Sequence, residues 1–313
     1  MIKALTSIAA AALLASLAHP DGAQADPVPF VLSFVATHGE QSVGCTDAIS
    51  GIGPEGDMTV GISDLRFYVS DVVFTGPDGA EMPGALTPSP FQHVAPEGSV
   101  ALVDLTNASE GTCAPGAISF GEGTERVNDR VSGTRAPGEV VSVSFRIGVP
   151  KDLMRAVIAA TSAEDAPSPL GEMYWNWATG YRHFVLNHTV DVEDGRFGEG
   201  YIHIGSMDCG PAEGKALSDR AECGLVYTPA VTLSVSGAET VIAVDLAPLF
   251  AAVDFKAPVY DTETFAVIGE RPGTDCHSSS RQPDCAALFP VFGLDMETGR
   301  AEAASNAVFR RVE

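Results

Sequence analysis

The sequence predicts an all-β protein, a single β-sandwich or barrel-like domain with few short helices and disulfide-stapled loops. Three observations carry this. Short segments rich in β-branched and aromatic residues recur along the chain, bounded by Gly, Pro and Asp clusters. Helical periodicity is confined to two stretches. Six cysteines, Cys45, Cys113, Cys209, Cys223, Cys276 and Cys285, form an even set without any C-x-x-C pair.

Taken in order, the chain opens with Met1-Ile2-Lys3, an apolar run from Ala4 to Leu17 and the small-residue site Ala23-Gln24-Ala25. That pattern predicts a cleaved signal peptide over residues 1–25 and one mature domain over 26–313. No later stretch approaches the roughly 20 apolar residues a spanning helix needs, so no membrane insertion of the mature chain is expected. Strands are predicted over Phe30 to His38, Leu65 to Phe74, Val100 to Leu105, Val140 to Val149, Tyr181 to Val190, Tyr201 to Gly205, Val231 to Ser236 and Val241 to Leu246. The clearest alternation sets Val141, Val143, Phe145 and Ile147 against Ser142, Ser144 and Arg146, one face to a core and one to water.

Helices are expected over Lys151 to Thr161, where Leu153, Met154, Val157 and Ile158 share a face, and over the short apolar stretch Cys285 to Phe292. Gly76 to Pro90, with four prolines and three glycines, reads as a surface loop. Asp191 to Gly195 has a partial calcium-loop pattern, but its glycine falls one position early, and a hairpin turn is the better reading.

The formal net charge of −23 argues against a nucleic-acid partner. G-x-S-x-G, G-x-x-x-x-G-K-[ST] and H-E-x-x-H are all missing, which removes the main support for hydrolase, nucleotide-binding and zinc-protease readings. Export suits complete disulfide pairing. Six cysteines allow 15 connectivities. Cys209 with Cys223 and Cys276 with Cys285 are expected, because each pair closes a short loop with little core of its own; Cys45 and Cys113 remain as a long-range pair.

Imidazoles gathered at one end of such a domain suit copper or zinc, and the candidates are His203, His38, His183 and His188. His183 and His188 are five positions apart and face opposite sides of an extended strand, so the two alone do not chelate one ion. His93 lies in a Pro-rich loop. Both tryptophans, Trp175 and Trp177, sit in one stretch, Gly171 to Phe184, and either pack as a large apolar pair or serve chemistry.

Several segments are similar in kind and order to those of a known family. They are Asp64-Leu-Arg-Phe-Tyr-Val-Ser-Asp71, Val100-Ala-Leu-Val-Asp-Leu105 leading to Cys113, and Gly148-Val-Pro150. They continue with Pro169-Leu-Gly-Glu-Met-Tyr-Trp-Asn-Trp177 with Gly180-Tyr181, His203-Ile-Gly-Ser206 leading to Cys209, Cys276-His-Ser278 leading to Cys285, and Val308-Phe-Arg310. Along nearly the whole mature chain the sequence resembles the MbnP family of methanobactin-associated periplasmic proteins, partners of di-haem, MauG-like peroxidases. The resemblance implies a periplasmic copper-binding protein, not itself an enzyme, in which Trp175 or Trp177 is oxidised to kynurenine by the di-haem partner. It makes His203 the first choice of ligand. Two departures stand out: Met154-Arg155 replaces a family Asn-His, and Cys276-His-Ser278 replaces Cys-Met-Ser. The rival expectations are a metal carrier or storage protein with unmodified tryptophans and a purely structural secreted sandwich.

Overall fold

The computed structural model describes residues 25–106, 127–160, 165–176, 180–209, 223–235, 239–264 and 266–312. Two sheets face each other. In the six-stranded sheet, Val28–His38 runs parallel to Glu239–Asp245 and antiparallel to Arg130–Arg135. The eleven-stranded sheet is organised on the long strand Met58–Thr75, which along one edge pairs first with Gly180–Val192 and then with Ser142–Ile147, and along the other edge pairs with Gly98–Asp104. Beyond Gly180–Val192 come Phe197–Gly205 and, parallel to it, Asp275–His277.

The period-2 pattern of the sequence is what holds the layers together. Phe30 and Phe34 of the smaller sheet meet Phe74 and Phe67 of the larger one with ring centroids 4.9 and 5.3 Å apart. Phe145, Phe184 and Phe309 complete the aromatic centre. Truncating one such ring to Ala costs about 3–5 kcal/mol, a large part of a typical domain's stability. Val143, Phe145 and Ile147 are buried as their alternation requires, whereas Val141 is exposed because the strand begins after it.

The outer face of the larger sheet carries a second apolar cluster under α1, Lys151–Ala160, whose Leu153, Met154, Val157 and Ile158 are buried against Tyr68, Val100, Leu102 and Tyr181. A five-residue α2, Ala247–Ala251, has too short a pattern to be read from sequence, and Pro at its start favours the turn. The third helix, α3, Pro283–Val291, begins on a proline whose missing N–H costs nothing there.

One expectation changes. Residues 76–90 are not a simple loop: Glu81–Pro83 pairs with Met58–Thr75, and Ala85–Leu86 with Arg130–Arg135, so the chain crosses from one sheet to the other. Met82 and Leu86 are buried, and that burial outweighs the Pro and Gly punctuation. The turn after Val192 is a hairpin turn closed by Gly195 N–H to Val192 O. The hairpin Lys256–Tyr260 with Val267–Pro272 was not expected.

Candidate functional site

The segment Asp64 to Asp71 shows how the larger sheet presents two kinds of surface. Leu65, Phe67 and Val69 enter the sandwich core. Asp64, Arg66 and Tyr68 point to the other face, where Arg66 Nε and Nη2 hold both oxygens of Asp64 at 2.8 and 2.6 Å, a buried bidentate ion pair. Tyr68 donates to Pro169 O at 2.9 Å, which ties the tryptophan segment to the sheet.

On the neighbouring strands the same face carries Asn187, Tyr201, His203, Asp275 and His277. Register sets His203 opposite Val185 on one side and His277 on the other. His203 is 5% exposed, and its Nε2 lies 2.7 Å from Asn187 Oδ1. Its Nδ1 lies 2.9 Å from His277 Nδ1. The far nitrogen of His277 stands 3.3 Å from Asp275 Oδ1. Tyr201 stacks on His277 at 5.6 Å, and the Trp175 ring adjoins both imidazoles, edge-on to His203 at 6.0 Å and tilted to His277 at 5.9 Å between centroids. Trp175 is half-buried.

The Cys-His-Ser and His-Ile-Gly-Ser segments build this arrangement. Cys276 is bonded to Cys285, which fastens the Asp275–His277 strand to α3. From the start of α3, Asp284 accepts Asp275 N–H and Gln282 accepts His277 N–H, both at 2.7 Å. Ser278 Oγ accepts from Gly205 N–H at 2.7 Å and donates to His203 O at 2.9 Å, stitching the two histidine strands together. Ser206 Oγ accepts Tyr181 N–H at 3.0 Å.

Electrostatics keep His203 neutral: burial lowers its pKa well below the ordinary value, and His277, Arg182 and Arg66 push the same way. Burial raises Asp275, but the His277 hydrogen bond and charge, Gln282 and Arg271 outweigh it and leave that carboxyl lowered. Only one hydrogen fits between the two facing Nδ1 atoms. With that proton gone, two lone pairs converge on one point, the arrangement a metal cation fills.

The four expected histidines are not gathered. His203 is at this site. His183 is buried with Nδ1 2.8 Å from Tyr227 O, against Gly148, where a Cβ would meet its ring at 2.9 Å. His188 turns into the sandwich core between Phe250 and Phe255, its ring lying directly on Gly200. His38, half-buried, faces Phe250 from the smaller sheet. The strand parity of Gly180–Val192 explains the split: His188 falls in line with Phe184, Leu186 and Val190, which face the sandwich core, whereas His183 is the extra residue at the register shift between Arg182 and Phe184. Among the described residues no group of three or more His, Cys, Asp or Glu side chains is arranged around a metal position. His277 is the residue that sequence reasoning missed as a site member; its signal was the His in place of Met after Cys276.

Of the expected disulfides, Cys209–Cys223 and Cys276–Cys285 are present. The pairing of Cys45 with Cys113 involves Cys113, which lies outside the described residues, as do Trp177 and residues 1–24. Among the described residues no helix is long and apolar enough to cross a membrane. At the positions where the family's Asn-His is replaced, Met154 is buried under α1 and Arg155 is paired with Asp152 at 3.0 Å.

The family model for MbnP matches residues 27–267. No curated protein sequence matches the chain. Among solved structures, MbnP from Methylosinus trichosporium aligns with a TM-score of 0.66 and 23% identity, over 91% of this chain and 98% of that one, a likeness of fold. With more than half its length matched by the family model, this chain belongs to the MbnP family.

Proposed function

We propose that this protein is exported to the periplasm, its mature chain beginning near Asp26, and binds copper beside a tryptophan that a di-haem, MauG-like peroxidase oxidises to kynurenine. The observation that carries the reading is the Trp175 ring set beside the facing pair His203 and His277. Imidazole nitrogens are good copper donors, and a separation of 2.9 Å suits two adjacent ligands on one ion at bond lengths of about 2.0 Å. His203, neutral and oriented by Asn187, and His277, oriented by Asp275, are the residues that would hold the metal. With two equivalents of hydrogen peroxide as the oxidant, the peroxidase cleaves the indole C2–C3 bond to the N-formyl ketone and two waters, and hydrolysis releases C2 as formate; kynurenine's aryl amine and ketone then stand beside the imidazoles, extending a donor set of two.

The protein acts as the substrate of the peroxidase and not as an enzyme. The test is to express the full chain with and without the di-haem partner and weigh the peptide containing Trp175 and Trp177. The expected result is a mass change at one tryptophan only with the active partner. An unchanged mass in both preparations, with copper still bound, turns the reading into that of a plain metal carrier.

A further inference from the structure

Two of the sequence segments end away from the histidine site. Ser70 and Asp71 end the first of them, Val149 and Pro150 end Gly148-Val-Pro150, and the four line one cleft of about 460 Å3. That size lies within the range of small-molecule sites.

The cleft is basic in an acidic protein. The chain carries only 18 Lys and Arg against a net charge of −23, yet Arg146, Lys151 and Arg300 all line this space, with Asp71 the one acid among the lining residues. Arg146 stands opposite Ser70 across the strand pair, and its Nη1 donates to Thr228 O at 3.3 Å, which fixes the guanidinium along the wall. Lys151 opens the first turn of α1, with Pro150 O accepting from Met154 N–H at 2.8 Å. Helix starts of this kind add unpaired N–H groups and positive potential.

Two further observations point to a ligand. Ser70 is 1% exposed, and its Oγ has no hydrogen-bond partner among the described residues. A buried hydroxyl left unsatisfied costs on the order of 1–3 kcal/mol, which a bound acceptor recovers. Asp71 has φ of 51°, in the left-handed region, and is an extra residue of a β-bulge: Val73 pairs with Ser144 and Ser70 with Arg146, so two residues oppose one. The bulge re-aims the Asp71 carboxylate to the cleft. Burial raises that carboxyl, and Arg146 opposes the shift.

We infer that this cleft binds a small organic polyanion carrying a hydroxyl, of the hydroxy-di- or tricarboxylate class. Carboxylates meet Arg146, Lys151 and Arg300, Ser70 donates its hydroxyl to one of them, and the ligand hydroxyl donates to Asp71. The single acid selects for that hydroxyl and against a bare oxyanion. The inference stands apart from the copper reading.

The test is calorimetric titration of metal-free full-length mature protein with citrate, tricarballylate (the same acid without the hydroxyl) and sulfate. Citrate is expected to bind with a Kd on the order of 0.1 mM, and tricarballylate and sulfate at least tenfold more weakly. Arg300→Gln and Lys151→Gln, both at exposed side chains, should weaken citrate at least tenfold with thermal unfolding unchanged, while Arg281→Gln, outside the cleft, leaves it unchanged. Asp71→Asn should abolish the preference for citrate over tricarballylate. Citrate that binds no tighter than sulfate, that does not bind at 10 mM, or that binds Arg300→Gln and Arg281→Gln alike overturns the inference.

Discussion

His203 and His277 face each other nitrogen to nitrogen, Nδ1 to Nδ1 at 2.9 Å, on parallel neighbouring strands. If this pair is the copper site, His203→Ala and His277→Ala each remove one of two described donors, and each should weaken copper by at least tenfold. His93→Ala and His188→Leu should leave it unchanged, because neither ring is part of this pair. Copper titration against a competing chelator distinguishes them; equal binding by His277→Ala and His93→Ala sinks the assignment.

The aromatic neighbours of Trp175 are unequal as routes for oxidation. Tyr174 and Tyr181 are close, with ring centroids 5.1 Å apart, but the Tyr181 hydroxyl is buried without a partner among the described residues, and burial raises its pKa. A tyrosine losing an electron must also shed its proton, and Tyr181 has nowhere to put it. Tyr201, stacked on His277, donates to Glu199 at 2.7 Å and has an acceptor in place. Tyr181→Phe should therefore leave the modified fraction of tryptophan unchanged and raise stability by up to about 1 kcal/mol. Tyr201→Phe should lower that fraction. Mass spectrometry of the tryptophan peptide after timed incubation with the partner enzyme reads both.

The Cys276–Cys285 bridge holds the strand that carries His277. Closing a loop of about 10 residues contributes on the order of 2.5 kcal/mol in the chain-entropy model. Cys276→Ser with Cys285→Ser should lower stability by about that amount and weaken copper more than the loss of Cys209–Cys223 does. A copper affinity equally insensitive to both bridges would separate His277 from the site.

The fold was legible because its strands are amphipathic in period 2: Phe30, Leu32 and Phe34, or Val143, Phe145 and Ile147, sort themselves without tertiary information. The site was legible only in part. His203 and Trp175 were found through the resemblance, but their partner His277 lies 74 positions away from His203. A parallel pairing between strands so distant leaves no local periodicity to read. His188 misled because a histidine draws attention as a ligand wherever it stands, while its parity with Phe184, Leu186 and Val190 already sends it into the core. The crossing at residues 76–90 was hidden because Pro and Gly mark a surface loop and a change of sheet alike.

His183 and His188 make the folded state acid-sensitive. Burial, opposed in part by the Tyr227 carbonyl, pushes His183 down to about 4. Burial, with the nearby charge of Arg271, pushes His188 down to about 3. In the unfolded chain both titrate near 6.5, so above that pH neither costs stability. As pH falls below 6.5 the unfolded state takes up protons that the folded state refuses, and each histidine subtracts about 1.4 kcal/mol per pH unit until its folded pKa is reached. By pH 5 each has removed about 2 kcal/mol. Asp71 and Asp284, raised by burial, act in the opposite direction and do so equally in wild type and variant. His188→Leu suits the surrounding Phe250 and Phe255 and deletes two nitrogens that have no partner among the described residues, so it should lose about 2 kcal/mol less than wild type between pH 7.5 and pH 5. Urea unfolding at the two pH values measures the difference, and equal losses in the two proteins would show that His188 is already protonated, or solvated, in the native state.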